Sequence, residues 1–473
     1  MSIPDVKDVL AYLENSAVIS DGKIEIKDEA RLRATIHKLA EISALETGTR
    51  QGAARYVVRL VALAFGAVPA SIHDLYMARG KGALPQSFTV PAMNLRMLTF
   101  EAARAVFRAA GSVNAGAFIF EIARSEMGYT DQRPAEFVTS VLAAAIAEGH
   151  KGPVFFQGDH FQVSAKRYAS DPETELQALR DLIKESVAAG FYNIDIDTST
   201  LVDINKPTVP EQQNLNSSLS AMFSAYIRSV EPEGVTVSIG GEIGEVGGHN
   251  STAEELCAYM DGYKIALEKE AKGSAGLSKI SIQTGTSHGG VVLPDGTIAK
   301  VAVDFDTLLN LGRLSRNAYG AGGTVQHGAS TLPEDAFGKF VESEALEVHL
   351  ATNFQNIAFD LLPDDLRREM YTYLDEKNAA ERKPGMTDEQ FYYKTRKNAI
   401  GPFKLKTWSL NATKREQIGK AWEAQFLKLF NFLGIKDSRK FVAGTITPKA
   451  IKPSLKFYLG SAASEEDVSD LAD

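Results

Sequence analysis

Between Gln86 and Leu362 the chain alternates short apolar runs with longer stretches whose apolar residues recur three and four positions apart. The runs are SFTVPAMN from Ser87, AGAFIFEI from Ala115, GPVFFQGD from Gly152, YNIDIDTS from Tyr192, GVTVSIGGE from Gly234, ISIQTGTS from Ile280, GTVQHGAS from Gly323 and LEVHLAT from Leu346. Such runs read as buried strands. The segments between them, among them FEAARAVFRAAG, ELQALRDLIKESVAAG and EELCAYMDGYKIALEKEA, carry the spacing of amphipathic helices. A parallel sheet has to be covered on its outer face by its own crossover helices. Eight strand–helix units therefore predict an α/β chain closed into a (β/α)8 TIM barrel.

The flanks have a different texture. They are charged and largely helical in pattern, with DEARLRATIHKLAEISALE and KREQIGKAWEAQFLKLFNFLG as amphipathic segments. The expected division is a helical N-terminal extension over 1–85, a catalytic barrel over 86–362 and a helical C-terminal extension over 363–473, the extensions serving packing or assembly. The final SAASEEDVSDLAD is acidic, built of small residues, and expected to fray.

Composition narrows the class of partner. A net charge of -9 over 473 residues, with Lys and Arg interspersed among acids, gives no basic stripe for nucleic acid. A small anionic substrate would then need local positive charge or a metal. The single cysteine, Cys257, has no mate within the chain, which fits a reducing compartment. The start, MSIPDVKDVLAYLEN, lacks a signal-like pattern and no stretch is apolar enough to span a bilayer, so a cytoplasmic protein without a membrane partner is expected.

In a barrel the carboxyl ends of all strands face one rim, where Asp159, His160, Asp197, Glu242, His288, His327 and His349 are predicted to gather. Any one of them could simply cap a neighbouring helix; seven at successive strand ends favour a site. His160, His288 and His327 sit in QGDH, GTSHGG and VQHGAS, where flanking glycines leave room for a cation and for a substrate close to the backbone. Neighbours on an extended strand face opposite ways, so Asp159 and His160 serve one site only if the chain turns there, which Gly158 would permit. Asp195 shares a face with Asp197, where a helix-capping role is the plainer expectation.

These residues resemble the class II, metal-dependent fructose-bisphosphate aldolases and their tagatose-bisphosphate relatives over roughly residues 86–360. QGDHF resembles their Asp-His pair after the third strand, IDIDTS the next strand, and GGEIGEVGG the following acidic, Gly-rich motif; TGTSHGG and VQHGAS resemble the two later histidine motifs, with DFDTLLNLG between them. The resemblance implies that His160, His288 and His327 ligate zinc, leaving a tetrahedral ion one position for a substrate oxygen, and that Asp159 takes the C4 hydroxyl proton. Glu242 and Asp197 match positions that hold a second divalent or a monovalent cation, or that orient the imidazoles. Gly289, Gly328 and Ser330 match phosphate-binding positions, and His349 and Thr352 lie where the eighth strand meets substrate. The implied activity is reversible cleavage of fructose 1,6-bisphosphate, or its tagatose epimer, to dihydroxyacetone phosphate and glyceraldehyde 3-phosphate, a glycolytic reaction of carbohydrate metabolism, in a homo-oligomer.

Three departures mark this chain. Where the resembling enzymes carry a mobile-loop glutamate that moves the C3 proton, this chain has His249 and Asn250; His249, Glu254 or Glu255 could substitute, histidine being the residue type best suited to proton transfer near neutral pH. No basic residue follows His288 until Lys300. On the eighth strand the usual asparagine is replaced by His349 and the next polar position by Ala351, a residue common in tagatose-specific members, which should loosen the preference for one C4 epimer. Two rivals stay open. EIARSEMGYTDQRPAEFV resembles the non-catalytic accessory subunits of tagatose-bisphosphate aldolase, a role that gives no reason to keep three metal histidines beside Asp159. A barrel metal hydrolase would use Asp159 to activate a bound water, and the Gly and Ser motifs weigh against it.

Overall fold

The computed structural model describes residues 4–20, 23–244, 249–285, 293 and 303–460. Eight strands form the barrel: β1 (Val90–Asn94), β2 (Ile119–Ala123), β3 (Gly152–Gln162), β4 (Asn193–Asp197), β5 (Ser238–Glu242), β6 (Lys279–Ser281), β7 (Thr324–Gln326) and β8 (Glu347–Leu350). Each pairs in parallel with the next in sequence, and β8 returns to β1 through Glu347 opposite Val90 and Leu350 opposite Met93, so the sheet has no open edge. All eight predicted strands are present. Helices cover the outer face, including Thr99–Ser112, Pro172–Ala189 and Ala253–Glu270 at the positions the spacing predicts.

Residues that face into a barrel usually fill it with branched apolar side chains. Here the interior carries a charged layer instead. Lys279 Nζ donates to Gln157 Oε1 at 2.8 Å, to Asp195 Oδ2 at 2.9 Å and to Glu347; Gln157 Nε2 donates to Glu121 Oε2 at 2.9 Å and to Glu347 Oε1 at 2.8 Å. Tyr76, from the N-terminal flank, caps the layer by donating its hydroxyl to Glu347. Asp195 is therefore an interior partner of Lys279, and the helix cap expected of it is not found. The layer explains the first glycine of the β5 pair, since a Cβ on Gly240 would lie 2.3 Å from Asp195 Oδ1, while one on Gly241 would lie 2.3 Å from the Tyr259 hydroxyl on the outer face.

The N-terminal flank is less purely helical than its pattern implies. Residues Ala17–Ser20 and Lys23–Ile26 form an antiparallel hairpin, and Ala67–Ala70 pairs in parallel with Gly152–Phe155 of β3. A four-residue AVPA segment is too short to show a period of its own, and only the exposed ladder of β3 recruits it as a strand. The C-terminal flank packs through aromatic side chains: in helix Ala412–Phe432, Trp422 Nε1 donates to the Phe354 carbonyl at 2.9 Å, and Phe426 lies 4.6 Å from Phe354, ring to ring. Both flanks share one continuous apolar core with the barrel.

Candidate functional site

The rim is organised by an irregularity in β3. Gly158 pairs with Ile194 and Phe161 with Ile196, so Asp159 and His160 together stand opposite the single residue Asp195. This two-against-one bulge turns both side chains to the same side. The turn falls on His160, whose φ is +38°, and Gly158 keeps a negative φ. A non-glycine residue in that region stores roughly 1–3 kcal/mol of strain, which surrounding contacts have to hold. Gly158 is required for a different reason: a Cβ there would meet the Phe161 ring at 2.3 Å.

The bulge brings three imidazoles into a row. The ring of His327, at the end of β7, lies 4.2 Å from that of His160 and 4.0 Å from that of His349 on β8. His160 Nδ1 is 3.2 Å from Asp197 Oδ2 and 3.3 Å from Glu242 Oε2. Asp197 is itself pinned by Gln162 Nε2 at 2.6 Å and by the Ser199 hydroxyl at 2.6 Å, so it acts as a fixed outer partner of the imidazole. A proton on Nδ1 shared with Asp197 puts the lone pair on Nε2, on the side where Asp159 Oδ1 lies 3.8 Å away. The same Asp159 oxygen is 3.9 Å from His327 Nδ1 and 3.2 Å from His349 Nδ1.

The electrostatics follow from burial. Burial alone would depress the His160 pKa, yet Asp159 and Glu242 outweigh it and hold the imidazole well above its usual value; Glu121 and Asp159 do the same for His349. Burial raises Glu242, and the neighbouring Asp197 adds to the rise. Burial likewise lifts Glu121 to about 8, against the pull of His349. A divalent ion displaces such protons and satisfies the same acids. The donor set suits one: ligand atoms from His160, Glu242 and His327 lie within 4.8 Å of one another, a mixed imidazole and carboxylate group of the kind that binds zinc-class ions. The described residues thus supply a metal-competent cluster beside a buried carboxylate.

A model of class II fructose-bisphosphate aldolases matches residues 80–405 of this chain. The chain belongs to that family. Among solved structures, a probable tagatose 6-phosphate kinase of Sinorhizobium meliloti 1021 superposes with a TM-score of 0.50 and 17% identity over 78% of this chain and 97% of its own. A fructose-bisphosphate aldolase of Campylobacter jejuni gives a TM-score of 0.45 and 16% identity over 77% of this chain and 94% of its own. At 17% identity the first of these likenesses is one of fold. No curated protein matches the chain. Membership makes a lyase-type enzyme acting on a sugar phosphate the general class, and no helix among the described residues is long and apolar enough to cross a membrane.

Of the residues the aldolase motifs single out, Asp159, His160, Asp197, Glu242, His327 and His349 converge on one rim. His288 and Gly289 lie outside the described residues. His249 is half exposed and stands at the start of helix Ala253–Glu270, with Nε2 3.2 Å from Glu255 Oε1 and not in contact with the imidazole row. Gly328 has φ +67° and opens a short turn in which Ser330 Oγ accepts the backbone N–H of Ala351 at 2.6 Å; Thr352 then begins helix Thr352–Leu361. Gly328, Ser330 and Thr352 therefore share one patch of rim between β7 and β8.

Sequence reasoning missed the groups behind this rim. Asn94, at the end of β1, donates to Asp159 Oδ2 at 2.9 Å and to Glu126 Oε2 at 2.9 Å, and Arg96 Nε pairs with Glu126 Oε1 at 2.5 Å. The RSEMG segment is thus part of the scaffold that positions Asp159. One signal was available: Glu121, Lys279 and Glu347 are lone charges within otherwise apolar runs, a pattern that a buried strand tolerates only when such charges meet.

Proposed function

We propose that the chain is a divalent-metal-dependent ketose-bisphosphate aldolase, zinc being the ion that suits its donors, cleaving fructose 1,6-bisphosphate or its tagatose epimer to dihydroxyacetone phosphate and glyceraldehyde 3-phosphate. The observation that carries the proposal is the meeting of His160, His327 and Glu242 within 4.8 Å, next to Asp159. His160, His327 and, by the motif, His288 would hold the ion, with Glu242 as a further donor and Asp197 orienting His160. When bound, the ion supplies Lewis-acid polarisation of the substrate ketone.

The chain's own groups carry the proton movements and the binding. Asp159, buried and turned by Asn94, takes the C4 hydroxyl proton as the C3–C4 bond breaks, the C4 carbon leaving as the aldehyde and the bonding pair passing to the three-carbon ketone fragment. The return of a proton to C3 would fall to His249, or to Glu254 or Glu255 beside it, once that segment meets the rim; His249 Nε2 lies 3.2 Å from Glu255 Oε1. Gly328, Ser330 and Thr352, together with Gly289, would receive a phosphate through backbone N–H groups and a hydroxyl at the end of the barrel where such sites form.

Metal analysis joined to cleavage of both ketose bisphosphates, before and after chelation, tests the proposal. Activity lost with chelator and restored by zinc or cobalt is the expected result. A metal-loaded protein that cleaves neither sugar would point to the accessory-subunit role.

A further inference from the structure

The proposed chemistry leaves His349 unexplained, although it is the most enclosed of the three imidazoles by acids. Both ring nitrogens face carboxylate oxygens. Nε2 lies 2.6 Å from Glu347 Oε1, and Nδ1 lies 3.2 Å from Asp159 Oδ1 and 3.2 Å from Glu121 Oε1. A neutral imidazole has one N–H and one lone pair. Donation to Glu347, the shortest contact, sets the Nδ1 lone pair against one oxygen of Asp159 and one of Glu121 in a buried place, and a cation between them removes that repulsion.

Glu121 supplies an independent observation. It is fully buried, and while Oε2 accepts from Gln157 at 2.9 Å, Oε1 accepts no hydrogen bond among the described residues. A proton on Nδ1 serves Asp159 and leaves Glu121 Oε1 unmet. A metal ion serves all three atoms. Asp159 is prepared for this, since Asn94 occupies Oδ2 and Oδ1 faces inward. The charge balance agrees: Glu121, Asp159, Asp195 and Glu347 surround His349, with Lys279 as the counter-ion in the layer beneath.

Bond lengths of about 2.0–2.2 Å set the donors of a tetrahedral zinc-class ion about 3.3–3.5 Å apart. The two 3.2 Å edges at His349 Nδ1 are close to that, and His349 offers a ligand atom within 4.8 Å of those of Asp159 and His327 on one side and of Glu121 and Glu347 on the other. Calcium, with longer bonds and at least six oxygen ligands, does not suit this set. We propose that His349 Nδ1, Glu121 and Asp159 form a second, inner site for a zinc-class divalent cation, with Glu347 fixing the imidazole from behind. This site differs from the cluster of His160, Glu242 and His327, and shares Asp159 with the proposed proton transfer. Only its effect on turnover rests on the aldolase proposal: an ion held by Asp159 withdraws that carboxylate from the C4 hydroxyl, so turnover rises with the first equivalent of metal and falls with the second.

Metal-stripped protein titrated with Co²⁺, followed by visible absorption and by elemental analysis after removal of excess, tests the site directly. The expected result is two ions per chain in the wild type and one in Glu121→Gln and in His349→Asn, with metal-free melting curves confirming that the variants fold. Glu121→Gln conserves shape and decides the matter if His349→Asn does not fold. Wild-type saturation at one ion, or two ions retained by a folded variant, overturns the inner site. Absence of cleavage of either sugar with a single equivalent of metal bound would overturn the aldolase proposal and leave the inner site standing.

Discussion

Asn94 Nδ2 donates to Asp159 Oδ2 at 2.9 Å, and this bond decides which oxygen of the carboxylate faces the imidazole row. Removing the donor leaves a buried acceptor unmet and the carboxylate free to rotate, at about 1–3 kcal/mol. Asn94→Leu is therefore expected to keep its outer metal ion and to lose roughly ten- to a hundredfold in kcat. Steady-state kinetics beside metal analysis checks it; unchanged kcat would mean that Asp159 is positioned by the histidines alone.

Asp159→Asn separates proton transfer from outer-site binding, because His160, Glu242 and His327 remain. Turnover should fall by a factor of about 10² to 10⁴ with the outer ion retained. Near wild-type turnover would remove Asp159 from the mechanism. Borohydride reduction in the presence of substrate should trap no adduct, since Lys279 is held as an ammonium by Asp195 and Glu347.

The eighth strand bears on stereochemistry. Fructose and tagatose bisphosphates differ at the C4 hydroxyl, and a methyl side chain at Ala351 offers that hydroxyl no hydrogen bond. Both epimers should be cleaved, with kcat/KM values within about a hundredfold of each other. Assaying the two sugars on one metal-loaded preparation decides it, and strict specificity would assign C4 recognition to His349 or Asn353.

Lys279 is the fully buried cation of the interior layer, joined to Asp195 and Glu347. Lys279→Met leaves both acids without it, a change expected to lower the unfolding free energy by about 3–5 kcal/mol. Denaturant unfolding measures this. A loss under about 1 kcal/mol would show that the layer relaxes by taking up protons.

Two histidines away from the rim predict acid sensitivity. Burial depresses His73, with Arg228 adding to it, and burial depresses His150 against the Pro153 carbonyl; each falls from 6.5 to about 4. Between those values the unfolded chain binds more protons than the folded one, so stability falls as pH drops from 6.5 toward 4, by about 3 kcal/mol per imidazole at the lower end. Above that window they add no slope. Melting temperatures of the wild type and of the His73→Gln, His150→Gln double variant at pH 7 and 5 should diverge, the double variant losing less; parallel curves would remove both groups from the acid transition.

The barrel was legible because its signal is local. Apolar runs and helical spacing are properties of consecutive residues, and eight alternations leave little choice but closure. The rim residues were legible for the same reason: a carboxyl strand end is read from the strand. The turn at Asp159 and His160 was foreseen but placed at Gly158, because a glycine's permissiveness is visible in sequence while a bulge depends on the partner strand. Residues such as Asn94 and Glu126 were not legible, since each is ordinary in its own segment and acquires meaning only from Asp159 across the barrel.

From sequence alone, then, came the parallel barrel, its order of strands, and the convergence of Asp159, His160, Asp197, Glu242, His327 and His349 on one end. Tertiary structure decided which atoms face one another: that three imidazoles lie in a row, each ring tilted on the next, that Asp159 turns one oxygen to them and the other to Asn94, and that Lys279 lies beneath them among acids. Periodicity gives a side chain its face. Its partner comes from another strand, by closure, register and bulge, and no run of neighbouring residues encodes those.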